Sequence, residues 1–169
     1  CFKITSQNSS ILIDPFEPGS VPGYSDISQT VDGVLCTHQH FDHNYTDGAV
    51  IKENPDLSAF HITEIPTYHD DQNGALRGTN TIYLIEAEGI RLAHMGDIGC
   101  SLTEEQTAIL KDLKACLIPI GGTYTVDAQG AKNLLELLRP EVIIPMHYRD
   151  GDYGLRELGT LEDFTVLFL

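Results

Sequence analysis

The stretch Thr37-His38-Gln39-His40-Phe41-Asp42-His43 places three histidines and one aspartate within six consecutive positions. It follows the mainly apolar run 31–36, which predicts a buried strand that ends at about Thr37 and a loop that carries the four polar side chains. Imidazole nitrogen and carboxylate oxygen are the ligand types that zinc and similar divalent ions prefer. A polar surface loop is the alternative, but seven histidines placed at random would seldom put three here. The heptapeptide therefore predicts a metal site.

The spacing inside the heptapeptide indicates two groups of ligands. His38 and His40 are two positions apart, so in extended backbone they project to the same side. Asp42 and His43 are adjacent and must point in different directions. This arrangement suits a second metal ion a few ångströms from the first.

The composition limits the kind of protein. A chain of 169 residues with 41% hydrophobic residues predicts one globular domain that spans 1–169. The formal net charge of −15 argues against nucleic acid as a partner, because phosphate binding depends on clustered Lys and Arg. No run is long enough for a membrane span, and the four cysteines form no Cys-x-x-Cys pair. These features predict a cytoplasmic protein without membrane attachment.

Apolar patterning and turn residues predict an α/β chain. One helix is expected to begin at Thr103, because Thr103-x-x-Gln106 fits a capping box. Another is expected behind Asp127, with an apolar face and an end before Pro140, and a weak signal indicates a short helix near 48–52. The predicted strands are 1–4, 11–13, 31–36, 59–65, 81–85 and 90–94 (a hairpin), 115–120 and 141–146.

Three further metal-competent residues follow predicted strands, namely His69, Asp97 and His147. Sites are often assembled from loops at one end of a sheet, because the sheet fixes the position of each loop. Tyr124 and Tyr148 lie in loops that we expect to face the same site. Either hydroxyl could donate a hydrogen bond to a developing oxyanion and so contribute to catalysis.

Other polar residues have two interpretations each. Asp14 is either a turn residue before a proline or an acceptor for a ligand histidine. His61 is predicted to be an ordinary strand histidine, and His94 is either a partner of a ligand or simply the last residue of its strand. Arg77 either meets an anionic group of a substrate or is solvated, and Cys100 is predicted to be a structural thiol.

Together these residues resemble the metallo-β-lactamase superfamily, whose signature His-x-His-x-Asp-His is matched by residues 38–43. Within it the chain looks similar to the metal-dependent hydrolases that include the ascorbate-6-phosphate lactonase-like proteins. The resemblance runs from Cys1 to about Tyr148, and the further stretches that carry it are 12–16, 95–97, 119–125 and 144–148. It implies an αββα sandwich with a binuclear site along one sheet edge, lacking part of the N-terminal strand that such proteins have before the position of Cys1.

The resemblance also implies a role for each ligand. The implied sets are His38, His40 and His69 for one ion and Asp42, His43 and His147 for the other, with Asp97 bridging the two. Two divalent ions, Zn²⁺ in the first place and Mn²⁺ as the alternative, would share a hydroxide that attacks the substrate. Asp42 would orient the hydroxide and pass its proton to the leaving group.

We therefore expect a metal-dependent hydrolase that cleaves a small ester, lactone, amide or phosphoester. A phosphodiesterase or nuclease of the same superfamily is the first alternative, and a metal-binding module without turnover is the second. The expected partner is a small-molecule substrate, with a homo-oligomer left open.

Overall fold

The computed structural model describes residues 1–169 as ten β-strands and three short α-helices. The strands are β1 Phe2–Ser6, β2 Ser9–Ile13, β3 Gln29–Val31, β4 Gly33–Leu35, β5 Ala49–Ile51, β6 His61–Tyr68, β7 Thr79–Ala87, β8 Ile90–His94, β9 Ala115–Pro119 and β10 Val142–Met146. The helices are α1 Glu104–Ile109, α2 Ala128–Leu138 and α3 Leu161–Thr165, with 3₁₀ turns at Thr46–Gly48 and Val166–Phe168. No helix has the length and apolar composition that a membrane crossing requires.

Two sheets pack face to face. The larger has the strand order β10-β9-β8-β7-β6, and the smaller has the order β1-β2-β4. Successive side chains of a strand point to opposite faces. Along β7, Tyr83 and Ile85 therefore pack against Ile11 of β2 between the sheets, while Leu84 enters the core on the other face.

That second face of the large sheet is covered by the helices. The expected apolar face of α2 is confirmed, since its four buried residues are Ala131, Leu134, Leu135 and Leu138. Phe164 of α3 joins the same core, and Gln106 of α1 donates a hydrogen bond to Pro66 O of β6. The expected capping box is also present, because Thr103 Oγ1 accepts a hydrogen bond from Gln106 N and Gln106 Oε1 accepts one from Thr103 N. The α/β class predicted from the sequence is confirmed.

The hairpin of β7 and β8 is confirmed, with a longer first strand than predicted. Ala87 pairs with Ile90, so the turn consists of Glu88 and Gly89 alone. Both have positive φ, 51° and 75°, which is the conformation that matches the twist of the flanking strands.

The single strand predicted for 31–36 is wrong, because the chain breaks at Asp32 into β3 and β4. The buried Asp32 carboxylate accepts hydrogen bonds from Ser10 N (2.7 Å), Ser10 Oγ (3.1 Å) and Lys52 Nζ (2.6 Å). These bonds turn the chain, so that β3 pairs with β5 and β4 pairs with β2.

Two further predictions are corrected by strand pairing. The helix near 48–52 is wrong, because the β-branched Val50 and Ile51 form β5 and pair in parallel with β3. The strand predicted to stop at Pro66 continues to Tyr68 as β6. Proline has no N–H to donate, and Pro66 is tolerated because β6 is an edge strand of its sheet. Thr81, which lies opposite Pro66 in β7, donates its N–H to Thr37 O.

Strand direction brings several loops to one edge of the sandwich. β8, β9 and β10 are parallel, and β6 runs the same way because both β6 and β8 are antiparallel to β7. The carboxyl ends of β2 and β4 lie at this edge too, and Asp14 N donates a hydrogen bond to Leu35 O there. A hydrogen bond from Thr81 N to Thr37 O connects this end of the small sheet to β7 of the large sheet. Residues that follow these strands are therefore neighbours in space.

Candidate metal centre

Each predicted ligand lies just past the end of a strand at this edge. The loop 37–43 follows β4, His69 follows β6, Asp97 lies shortly after β8, and His147 follows β10. The prediction that these residues end strands is confirmed. His147 has φ 51°, a left-handed conformation that residues other than glycine rarely adopt and that is found preferentially at functional sites.

The seven side chains converge as two triads around one aspartate. The triads are His38, His40 and His69, and Asp42, His43 and His147; within each, the ligand atoms lie within 4.8 Å of one another. Asp97 Oδ2 lies 3.3 Å from His69 Nε2 and 3.9 Å from His38 Nε2 on one side. On the other side it lies 3.2 Å from His147 Nε2 and 3.6 Å from His43 Nε2. Asp97 thus contacts both triads.

The spacing and the unpaired atoms of this cluster fit bound metal ions. Four ligands about 2.0–2.1 Å from a tetrahedral ion lie about 3.3 Å from each other, which is close to the separations around Asp97. His38 Nε2 and Asp97 Oδ1 are buried and have no hydrogen-bond partner. Buried polar atoms are rarely left unpaired, and His38 Nε2, which faces Asp97 Oδ2 inside the cluster, is an atom type that binds divalent cations.

Hydrogen bonds fix the ring orientation of two of the histidines. His69 Nδ1 lies 3.0 Å from the backbone oxygen of Tyr124, which can only accept, so Nδ1 carries the proton and Nε2 offers its lone pair to the site. Thr37 Oγ1 donates to Asp14 Oδ2 (2.8 Å) and therefore accepts from His38 Nδ1 at 2.9 Å. His38 Nε2 is then also free to bind a metal ion.

Asp14 lies against His43, a candidate ligand, in agreement with one of its two sequence interpretations. Its Oδ2 lies 3.1 Å from His43 Nδ1, as a charge contact rather than a well-aligned hydrogen bond. Its Oδ1 accepts from Thr37 N at 2.7 Å. Asp14 is buried and therefore holds His43 directly and His38 through Thr37. Sequence analysis did not identify Thr37, although its position directly before His38 was visible.

Burial and the carboxylates set the charge states of the cluster. Burial lowers the pKa of His38 to about 3, so its ring stays neutral and able to bind a metal ion. Burial opposes the charged form of His43, but Asp97 and Asp14 outweigh it and raise its pKa to about 9. Burial alone would raise the pKa of Asp97, whereas His147 and His43 hold it well below its ordinary value.

The turn that carries Asp97 is held by Asn80, whose role the sequence did not indicate, and by His94, one of whose two sequence interpretations was this role. The buried Asn80 accepts a hydrogen bond from Asp97 N (2.9 Å) and donates to Met95 O (3.0 Å). Gly96, with φ 57°, packs so closely that a Cβ there would meet Asn80 Oδ1 at 2.2 Å. His94 accepts from Gly96 N at 3.2 Å, so it supports a ligand rather than merely ending its strand. No sequence pattern marks Asn80 for this role.

The loop after His69 is organised by one carboxylate. Asp70 is buried and accepts hydrogen bonds at 2.7–2.9 Å from four backbone N–H groups, those of Gln72, Gly74, Leu76 and Arg77. The sequence Asp70-Asp71-Gln72-Asn73-Gly74 was a visible turn signal that the sequence analysis did not use. Asp70 thereby fixes the backbone next to a metal-ligand candidate.

The other predicted site residues lie nearby without a demonstrated role. Tyr124 borders the cluster, but its hydroxyl donates to Glu157 Oε1 at 2.8 Å. Tyr148 borders the other side of the cluster and packs against the large core. Arg77 Nη2 donates to Thr123 O. The exposed His61 begins β6, as expected for a strand histidine, and a catalytic role for either tyrosine stays a prediction.

Comparison with known sequences identifies the family. The family model described as the beta-lactamase superfamily domain matches residues 1–147. UPF0173 metal-dependent hydrolases from Hyperthermus butylicus and Methanocaldococcus jannaschii are each 28% identical to the chain. These alignments cover 87% and 88% of the chain and 79% and 80% of the two relatives.

Solved structures agree with this assignment. A structure from Thermotoga maritima, assigned to the zinc-dependent hydrolases of the metallo-β-lactamase superfamily, is 30% identical with a TM-score of 0.73, covering 99% of this chain and 81% of that one. A metallo hydrolase from Ignicoccus hospitalis is 25% identical with a TM-score of 0.63, covering 87% and 78%. The chain belongs to the metallo-β-lactamase superfamily and is a metal-dependent hydrolase.

Proposed function

We propose that this hydrolase uses two divalent cations to cleave a small ester, lactone, amide or phosphoester. The observation that carries the proposal is the pair of ligand triads that meet at Asp97 Oδ2, with separations of 3.2–3.9 Å to four imidazole nitrogens. Histidine nitrogens dominate the ligand set, which favours Zn²⁺, with Mn²⁺ as the alternative. Purely structural zinc sites are closed and mononuclear, so this open pair of triads favours catalysis over a binding module.

Two cations bound here would supply a hydroxide at neutral pH and an electrophile for the oxygen of the scissile group. Residues of the chain would orient the nucleophile and stabilise the developing charge. Asp42 is half-buried, and its Oδ2 lies 3.7 Å from His43 Nε2. Asp42 lines cavities on both sides of the cluster. We therefore propose that it orients the nucleophile, accepts the proton of the nucleophile and passes this proton to the leaving group. Tyr148 is a proposed donor to the developing oxyanion, and Tyr124 is the other, provided that its hydroxyl turns from Glu157 Oε1 to the substrate.

The charge of the chain favours a small substrate over nucleic acid. It carries 25 acidic and 10 basic residues, and polyanion binding needs clustered basic side chains. Within the small substrates, a phosphorylated lactone is suggested only by the resemblance described above. The small-molecule partner, the oligomeric state and the cytoplasmic location stay predictions.

A metal analysis and a hydrolysis screen test the proposal together. We expect about two ions per chain after loading with Zn²⁺, and turnover of at least one class among lactones, esters and phosphodiesters that a chelator abolishes. Asp42→Ala should lose turnover while keeping the circular dichroism of the parent. Asp71→Ala is the matched control, because Asp71 is an exposed carboxylate of a neighbouring loop and should retain activity. Full activity of Asp42→Ala, or turnover that survives the chelator, would contradict the mechanism.

A further inference from the structure

Two cavities open on opposite flanks of the metal centre. One has a volume of about 380 Å³ and the other of about 450 Å³, both within the size range of small-molecule sites. They share Asp42, Asp97, His147 and Leu155 as lining residues. A group that reacts at the shared ligands therefore has room on both sides, one for each half of a substrate.

The first cavity has apolar walls. Beyond the candidate ligands its lining includes Phe16, Val21, Tyr24 and Leu158 and no Lys or Arg, and the buried Asp14 and His94 are its further polar residues. Cys1 and Phe2 also border it. Apolar side chains in such a cavity favour an apolar ligand group, because the group leaves water without having to exchange hydrogen bonds.

The walls of the first cavity are held together by direct contacts. They come mainly from loop 14–24 and from segment 145–158, which begins at the end of β10, and Gly154 N donates to Pro22 O at 3.0 Å between them. The rings of Tyr24 and Tyr153 pack edge to face with centroids 5.5 Å apart. The cavity is thus formed before a ligand arrives, which lowers the entropic cost of binding.

The second cavity is different in kind. Its lining includes Arg77, Tyr124, Glu157 and the exposed His40, and only three of its ten lining residues are hydrophobic. Leu155 stands between the two environments, since it borders both cavities. Away from Asp14, His94 and the candidate ligands, the first cavity is lined by apolar side chains, whereas the second is lined by Arg77 and Glu157 as well as the apolar Phe41 and Leu155.

We propose that the substrate carries an apolar alkyl or aryl group on one side of the scissile bond, bound in the first cavity, and a polar group on the other. Tyr24 and Leu155 set the size limit of the apolar group. This inference rests on the proposed hydrolytic function, since it orients the substrate at the same metal centre. Each methylene that enters the cavity should raise kcat/KM about four-fold until the cavity is full, from about 0.8 kcal/mol per buried CH₂.

The test is an alkyl series from methyl to hexyl, built on whichever ester or lactone core the hydrolysis screen identifies. We expect kcat/KM to rise along the series and then fall, and Tyr24→Ala and Leu155→Ala to move the maximum to longer chains. Tyr24 is 54% exposed, so its truncation leaves the fold intact even if Leu155→Ala is unstable. The matched control is Leu76→Ala, because Leu76 is exposed and borders neither cavity.

A binding experiment gives a result that does not depend on turnover. Binding of 1-hexanol to the protein is followed through the amide chemical shifts of Val21 and Leu155, with 1,6-hexanediol as the polar control. Saturable shifts with 1-hexanol alone support the proposal. Metal-dependent turnover with kcat/KM independent of chain length would overturn the inference and leave the proposed function in place. No turnover on any core would overturn the proposed function, and the absence of hexanol shifts would then overturn the cavity assignment as well.

Discussion

Asp14→Asn tests whether a single carboxylate sets the proton positions of two candidate metal ligands, His38 and His43. Asp14 has φ 52°, and asparagine adopts this left-handed conformation readily, so the substitution adds no backbone strain. The amide cannot replace both carboxylate oxygens. If its oxygen accepts from Thr37 N, its NH₂ group faces His43 Nδ1 and forces the ring proton onto Nε2, the atom that faces Asp97. If the amide is flipped, two N–H groups oppose each other at Thr37.

The expected loss follows from the contacts that the carboxylate makes. Outer partners of metal-binding histidines are worth about 10–100-fold in metal affinity, which corresponds to about 1.4–2.7 kcal/mol. Asp14 supports His43 directly and His38 through Thr37, so we expect the upper part of this range. The assay is competition between the protein and a chromophoric chelator for Zn²⁺ at pH 7.5, with circular dichroism as the check on folding.

Asp32→Asn is the matched control for this measurement. Asp32 is also buried, and it also accepts from one N–H and one hydroxyl of a single residue, Ser10. Its other partners are Asp56 N–H and Lys52 rather than a histidine. The control should lose stability and keep its affinity for Zn²⁺. An unchanged Zn²⁺ affinity in folded Asp14→Asn would refute the role of Asp14. An equal loss in both variants would show a general loosening of the small sheet instead.

Three other perturbations have defined outcomes. Leu110→Ala removes a fully buried side chain from the large core and should lower the free energy of unfolding by about 3 kcal/mol in urea titrations; a change below about 1 kcal/mol would contradict the packing. Burial would raise the pKa of Asp70, but four N–H donors hold it below its ordinary value, so Asp70 stabilises the folded state above about pH 4 and this contribution is lost as the pH falls through the folded pKa. The difference in Tm between the parent and Asp70→Asn should therefore be largest at neutral pH and shrink in acid, and a difference that grows in acid would exclude this explanation. Zn²⁺ at 100 times its Kd should stabilise the metal-free protein by about 2.7 kcal/mol in thermal melts, whereas Asp97→Asn should gain much less; equal gains would place the binding elsewhere.

The convergence of the candidate ligands could be predicted because their signals are local in the sequence. Each follows an apolar run that ends in a metal-competent side chain, and such a run predicts a strand whatever it later pairs with. The helices behind Thr103 and Asp127 were predictable for the same reason, since caps and apolar faces are properties of short segments. The predictions that were wrong depend on how strands pair with one another. The break at Asp32 depends on Ser10 and Lys52, which are remote in sequence, and Pro66 is compatible with β6 only because no strand lies on its other side.

The same distinction between local and remote contacts explains which parts of the candidate metal centre could not be predicted from the sequence. Ligand types are visible in the chain, but the proton positions depend on groups that are remote in sequence. Tyr124 O accepts from His69, and Asp14, just after β2, contacts His43 and fixes the Thr37 hydroxyl beside His38. Asn80 belongs to β7, which begins rather than ends at this edge, so a search of strand ends passes over it. Its position is nevertheless dictated by the topology. Because β7 is antiparallel to both neighbours, its first residues lie beside the last residues of β6 and β8, where His69 and the Asp97 turn must be held. Support for the ligands is therefore expected at the start of the antiparallel strand, and a ligand set assembled from parallel strand ends alone would lack it.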